Sequence, residues 1–207
     1  PKKLIKAFDE SKRKDIDVGR IYDLPGTNFF IESFGFGIFP YLMQEMKKKE
    51  EEYDSPEEEL KGALKKLHGI INEYEPRNCK LVIDGSDHSG NYILAEVMNT
   101  KSIGPNLVLN PNSDPGDGEL EIVLIPESQK QKFADYIKCL INDEKASYQF
   151  SSIQAKKVTI SWDGTHAHVD DEVMKLKEKE EINVEIKPNA LHFLIPPEAD
   201  IENNGNS

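Results

Sequence analysis

Pro105-Asn-Leu-Val-Leu-Asn-Pro-Asn-Ser-Asp114-Pro-Gly-Asp117-Gly-Glu119-Leu-Glu-Ile-Val-Leu-Ile125 is where the chain changes pattern most sharply. Its first half is crowded with Pro, Gly, Asn and Asp, the residues that turn a backbone. Its second half runs straight into an apolar strand that begins by alternating with acids. Three acidic side chains, Asp114, Asp117 and Glu119, bracket the turn at spacings of three and two. Oxygen ligands at that spacing, around a turn held by Gly116 and Gly118, can converge on a hard cation such as Mg²⁺ or Ca²⁺. Asp and Gly are also ordinary turn residues, so spacing alone leaves both readings open.

Upstream of this stretch, Lys80–Asp84 and Tyr92–Met98 read as strands joined by a polar turn. Downstream, residues 127 to about 144 have a helical apolar stripe of Phe133, Tyr136, Ile137 and Leu140. Strands resume at Lys157–Trp162, His166–Val169, Ile182–Ile186 and Leu191–Ile195. Nearer the N-terminus, Arg20–Asp23 and Thr27–Phe34 are strand-like, and the glycines of Phe34-Gly-Phe-Gly37 read as the end of that strand. Ile38–Met46 reads as an apolar helix with Pro40 in its first turn. Ser55-Pro-Glu-Glu58 is a capping box, and Leu60, Leu64, Leu67, Ile70 and Ile71 behind it predict an amphipathic helix to about Tyr74. About ten short strands with turn signals between them predict a mainly β fold, an antiparallel β-sandwich carrying two or three helices. Few connections have the strand–helix–strand rhythm of a parallel sheet.

The domain expectations follow. Residues 1–17 are charged and read as an arm or linker, 18–197 as the sandwich domain, 47–76 as a charged helical insertion within it, and 198–207 as a disordered tail. With 26 Lys and Arg against 38 Asp and Glu, the formal charge is −12. That balance argues against non-specific nucleic-acid binding. No run of about 18 apolar residues predicts a membrane span, and no signal peptide is visible. Cys79 and Cys139 lack metal-ligand spacing and read as buried free thiols of a reducing cytosol. His166 and His168 share one side of a strand without a third ligand, so a metal role for them is disfavoured. Asp163-Gly-Thr165 reads as a hairpin turn.

The turn at 105–125, Val169-Asp170-Asp171-Glu172 and Lys187–Pro196 together resemble the C-terminal, lipid-substrate domain of the diacylglycerol kinase and sphingosine kinase-like lipid kinases. The resemblance implies the fold of the C-terminal domain shared by NAD kinases and diacylglycerol kinases. It implies a structural Mg²⁺ held by Asp114, Asp117 and the backbone carbonyl of Glu119. It also implies Glu172 as the base for a lipid hydroxyl, with Asp170 beside it. Such a carboxylate polarises a hydroxyl that is otherwise a poor nucleophile. Asp171 stands where many members have glycine, and if that position needs a positive φ, Asp tolerates it at modest cost. The apolar run from Phe34 to Met43 suits either an acyl-chain wall or a buried helix.

Nothing before Gly19 resembles the ATP-binding half of such a kinase. The resemblance therefore implies the lipid-receiving part of an ATP-dependent kinase that is cytoplasmic and peripheral to membranes. An upstream nucleotide-binding domain is its expected partner, the acceptor is a diacylglycerol- or sphingosine-like lipid, and a homodimer stays open. The chain alone is expected to be inactive. A stand-alone lipid-binding or regulatory sandwich is the alternative, and a relation to NAD kinases the third reading.

Overall fold

The computed structural model describes residues 8–22, 24, 26, 28–48, 53–144, 150–177 and 179–196. Nearly all the strands join one twelve-stranded sheet in which every pairing is antiparallel. Its path runs β13 (Glu172–Lys175), β12 (His166–Val169), β3 (Ser33–Gly37), β6 (Gly90–Met98), β4 (Arg77–Ile83), β11 (Lys157–Trp162), β14 (Glu181–Ile195), β1 (Lys12–Tyr22) and β2 (Phe29–Phe30). β9 (Leu120–Pro126) pairs the other edge of β6 and carries β10 (Ser152–Ala155). β5 (Ser86–Asp87) folds back on β4, and β7 (Ser102–Ile103) and β8 (Leu107–Val108) form a separate small ribbon.

The sheet curls on itself around a first core. Ile21, Phe34, Phe36, Leu81, Ala95, Val97, Ile122, Val158, Ile160, Trp162, Val169 and Val184 meet there from strands far apart in the path. Period-two alternation sends the other residues of β6 and β9 to the opposite face. There Leu94, Met98, Val123 and Ile125 meet three helices, α1 (Ile38–Lys48), α2 (Pro56–Glu73) and α3 (Lys130–Ile141), in a second core. The fold class predicted from sequence is the one observed: a mainly antiparallel, curled sandwich with three helices.

Helix α2 starts as its sequence dictates. Ser55 Oγ accepts a hydrogen bond from Glu58 N at 3.2 Å, and Glu58 reaches back to Asp54 N. Pro56 occupies the first helical turn, where its missing N–H costs nothing. Leu64, Leu67, Ile70 and Ile71 are buried along one face, so this charged segment is part of the second core.

Four expectations change in detail. Residues 12–17 belong to β1 rather than to an arm, because five residue pairs with β14 order Lys12–Ile16 and Asp17 is fully buried. Residues 1–7 and 197–207, including the predicted tail, lie outside the described residues. The glycines after Phe34 do not end a strand but lie inside β3, where neighbouring groups need the room a side chain would fill. Asp163–Thr165 is not a hairpin turn, since β11 and β12 do not pair and the chain crosses from one part of the sheet to another. The thiols are free: burial pushes Cys79 up to about 12, while Cys139 is half-buried.

Candidate functional site

The acidic turn is built on its own backbone. Asp114 Oδ1 accepts from Gly116 N at 3.1 Å, and Asp117 Oδ1 accepts from Glu119 N at 2.9 Å. Both side chains are exposed, and Lys14 Nζ approaches Asp114 at 4.0 Å. The loop is anchored from beneath by Asp17. Its Oδ2 accepts from Gly118 N and its Oδ1 from Asn189 N, each at 2.7 Å, and its own N–H donates to Pro115 O. The Asn189 contact falls where Pro188–Ala190 bulge out opposite Asp17, between the pairs Ile16–Leu191 and Val18–Lys187. Sequence reasoning missed Asp17 because it lies in a lysine-rich run with no apolar alternation.

The donor set suits a hard cation in chemistry, since it offers two carboxylates and a carbonyl. Each carboxylate already closes a turn with one oxygen, which leaves its second oxygen for a ligand. Among the described residues, no group of three or more His, Cys, Asp or Glu side chains converges as a metal site. A cation here would therefore rest on Asp114, Asp117 and backbone carbonyls, with water completing its shell.

Asp170 and Asp171 turn the chain between β12 and β13, where Val169 pairs Glu172. The left-handed residue is Asp170, at φ +48°, and not Asp171. Asp170 uses its carboxylate structurally. It accepts from Ile31 N at 3.1 Å, Glu32 N at 2.8 Å and Ser33 N at 3.1 Å, while Asp170 N donates to Ser33 O. The predicted neighbour of the base is thus a clamp on the entry to β3. Glu172 is exposed and accepts no hydrogen bond from the described residues. Burial, together with the charges of Asp171 and Asp170, raises the pKa of Glu32, so the hairpin lies in an acidic field.

One buried residue ties the two acidic loops together. Asn99 donates through Nδ2 to Asp17 O and to Ile31 O, both at 2.9 Å, and through its backbone to Glu32 O. The Asp114–Glu119 turn and the Asp170–Glu172 hairpin therefore share a frame that runs Asp17, Asn99, Ile31–Ser33, Asp170. Asn99 is 1% exposed, and no sequence signal marked it.

Beside the hairpin lies a groove of about 460 Å³. α1 contributes Leu42, Met43 and Met46, α2 contributes Leu60 and Ala63, and Asp171 stands at its lining with Pro105 and Asn106. Of the apolar run predicted as wall or core, Phe34, Phe36, Ile38, Phe39 and Leu42 are core, Leu42 also reaches the groove with Met43, and Tyr41 is exposed. A second cleft of about 570 Å³ lies between Tyr41, Tyr74, Arg77 and the Trp162–His166 turn, at the far end of β12.

This fold is that of a known class. The family model of the YegS C-terminal NAD kinase beta sandwich-like domain matches residues 47–195, most of the chain. The chain belongs to that family, the C-terminal domains of NAD kinase and diacylglycerol kinase-like proteins. Among solved structures it is similar to a Bacillus anthracis str. Sterne protein named provisionally as a diacylglycerol kinase, with 18% identity and a TM-score of 0.63, covering 91% of this chain and 59% of that one. A diacylglycerol kinase structure from the same strain gives 17% identity and a TM-score of 0.62, covering 90% and 57%. An NAD kinase from Archaeoglobus fulgidus in complex with ATP gives 11% identity and a TM-score of 0.50, covering 94% and 59%. At these identities the likeness is one of fold. The chain spans 57–59% of the length of these solved relatives. No curated protein matches the chain by sequence. No helix among the described residues is long and apolar enough to cross a membrane.

Proposed function

We propose that the chain is the lipid-receiving domain of an ATP-dependent lipid kinase of the diacylglycerol kinase type. The observation that carries this reading is the apolar groove of Leu42, Met43, Met46, Leu60 and Ala63, with Asp171 in its lining and Glu172 next to it in the hairpin. An acyl chain in the groove gains about 0.8 kcal/mol per buried methylene. Its glycerol- or sphingoid-like hydroxyl is then left at the acidic hairpin. Glu172, exposed and with no hydrogen bond from the described residues, takes the hydroxyl proton, while Asp170 positions the hairpin. Mg²⁺, held by Asp114, Asp117 and the Glu119 carbonyl, would order the turn that Asp17 anchors. ATP and the residues that bind it belong to an upstream nucleotide-binding domain, and peripheral contact with a membrane supplies the lipid.

The test is sedimentation with phosphatidylcholine vesicles that do or do not contain diacylglycerol. Diacylglycerol-dependent binding is expected, and Met43→Glu, which puts a charge into the groove, lowers the affinity at least about tenfold. Equal binding by wild type and Met43→Glu overturns the reading. The chain alone is expected to give no ATP turnover, and robust phosphorylation by it would refute the division of labour.

One observation favours a second reading, a lipid-binding domain without catalysis. Asp171 adds a negative charge beside Glu172 and Glu32, a field that repels a phosphoryl group. In that case Glu172→Gln in the full-length protein leaves cellular lipid phosphorylation unchanged.

A further inference from the structure

β12, β3 and β6 lie side by side, and their register sets His168 opposite Gly35 and Gly35 opposite Glu96. The three residues form one row across the sheet. Gly35 leaves the middle of the row empty, and a Cβ there would run into the Glu96 carboxylate. Glu96 therefore reaches over Gly35 and sets Oε1 2.7 Å from His168 Nε2. The two side chains are 0% and 1% exposed.

On the other side of the ring, His168 Nδ1 lies 3.0 Å from the Asp170 carbonyl. A carbonyl only accepts, so Nδ1 carries a proton. Nε2 faces a carboxylate and calls for a proton as well. Burial by itself pushes the His168 pKa down, but the Glu96 charge and the contacts with Asp170 outweigh it and the pKa is raised. The Nε2 contact is close but off the line of a straight hydrogen bond, and Glu96 Oε2 has no partner among the described residues.

An ion pair so deeply buried is a weak source of stability, because desolvation offsets most of its attraction. What this one contributes is a fixed position. It holds the carbonyl of Asp170, whose carboxylate in turn gathers the N–H groups of Ile31, Glu32 and Ser33. We propose that His168 is a positioning residue: with Glu96 threaded over Gly35, it fixes the Asp170 hairpin and so aims Asp171 and Glu172 at the mouth of the groove. Its functional consequence rests on the lipid reading above, while its structural core does not.

The test uses the whole chain with Glu96→Leu and His168→Leu together. Replacing both members of a buried pair by apolar groups is often neutral for stability. Amide hydrogen exchange is read by NMR at Ile31, Glu32 and Ser33, with Val158 and Ile160 of the β11 ladders as the reference. The three hairpin-bound amides are expected to exchange at least about tenfold faster, the factor that 1.4 kcal/mol of lost local stability gives, with the reference amides unchanged. Diacylglycerol-vesicle affinity is expected to fall alongside. If the double variant does not fold, Glu96→Gln keeps the shape, removes the charge and carries the same comparison. Unchanged exchange at the three amides, with the reference amides intact, overturns the inference. Faster exchange in the variant, combined with a wild-type chain that ignores diacylglycerol, instead overturns the lipid reading and leaves the positioning role standing.

Discussion

Substituting Asp170 three ways separates its two local tasks. The carboxylate accepts three backbone N–H bonds of 2.8–3.1 Å, and the backbone sits at φ +48°. Asp170→Gly keeps the left-handed backbone without penalty and removes the bonds. A hydrogen bond to a charged group contributes about 1.5–3 kcal/mol when buried. Only the Ser33 bond is partly buried, and water can replace Asp170 at the other two. The expected loss is therefore about 2–3 kcal/mol, chiefly from Ser33. With a urea slope of about 2 kcal/mol/M, the unfolding midpoint falls by about 1–1.5 M. Asp170→Ala loses the same bonds and adds about 1–2 kcal/mol for a Cβ in the left-handed region. Asp170→Asn keeps an acceptor oxygen and tolerates the backbone, so it loses least, about 1 kcal/mol. The expected order of stability is Asn, Gly, Ala. Glu172→Gln serves as the control and stays within about 0.5 kcal/mol of wild type, because its side chain is exposed and accepts no hydrogen bond from the described residues. An alanine variant as stable as the glycine variant, or all three within about 0.5 kcal/mol of wild type, would refute the clamp.

Three further outcomes are expected. His168 has a raised pKa in the fold, so its contribution to stability is full below its unfolded value of about 6.5 and is lost as pH climbs through the higher folded value; urea midpoints should decline over that window, and the decline should vanish when Glu96 and His168 are both leucine. Cys79, whose thiol burial pushes to about 12, should resist iodoacetamide at pH 8 in the native state and label on unfolding, with Cys139 reacting first. Asp17→Ala strands the Gly118 and Asn189 N–H groups and should cost about 2–4 kcal/mol in urea unfolding; it should also remove any Mg²⁺-dependent rise in melting temperature, and a stable variant with an intact Mg²⁺ response would sink the anchoring role.

The parts of this fold that sequence revealed are those written in local periodicity. The Ser55 capping box, the Leu64–Ile71 stripe and the strands at 80–83, 92–98 and 157–162 each follow from residues within a few positions of one another. The residues that were not legible act through register. Gly35 looked like a strand terminator because its purpose, room for Glu96, exists only once β3 and β6 are paired. Asp17 looked like part of a solvated arm because its partners, Gly118 and Asn189, lie about a hundred or more positions away. His168 offered only its alternation with His166, and the carboxylate that gives it meaning comes from a strand two positions over in the sheet.

Part of the aspartate content has a structural cause that bears on which carboxylate is proposed to do chemistry. Asp84, Asp143 and Asp170 all occupy left-handed backbone positions, where a short polar side chain replaces glycine. Asp84 accepts from Lys156 N and Lys157 N, Asp114 from Gly116 N, Asp117 from Glu119 N, Asp170 from three amides, and Asp17 from two across the sheet. Aspartate is thus used here to build turns, and a carboxylate already accepting backbone N–H groups has fewer lone pairs left to accept from a substrate hydroxyl. Glu172, like Asp171, accepts no such bond from the described residues, but it has the longer stem and stands at the first position of β13 beside an apolar groove. On the proposed lipid-kinase reading it, rather than the more conspicuous Asp170 whose carboxylate is committed to three backbone N–H groups, is the residue whose substitution should separate lipid binding from phosphoryl transfer in the full-length protein.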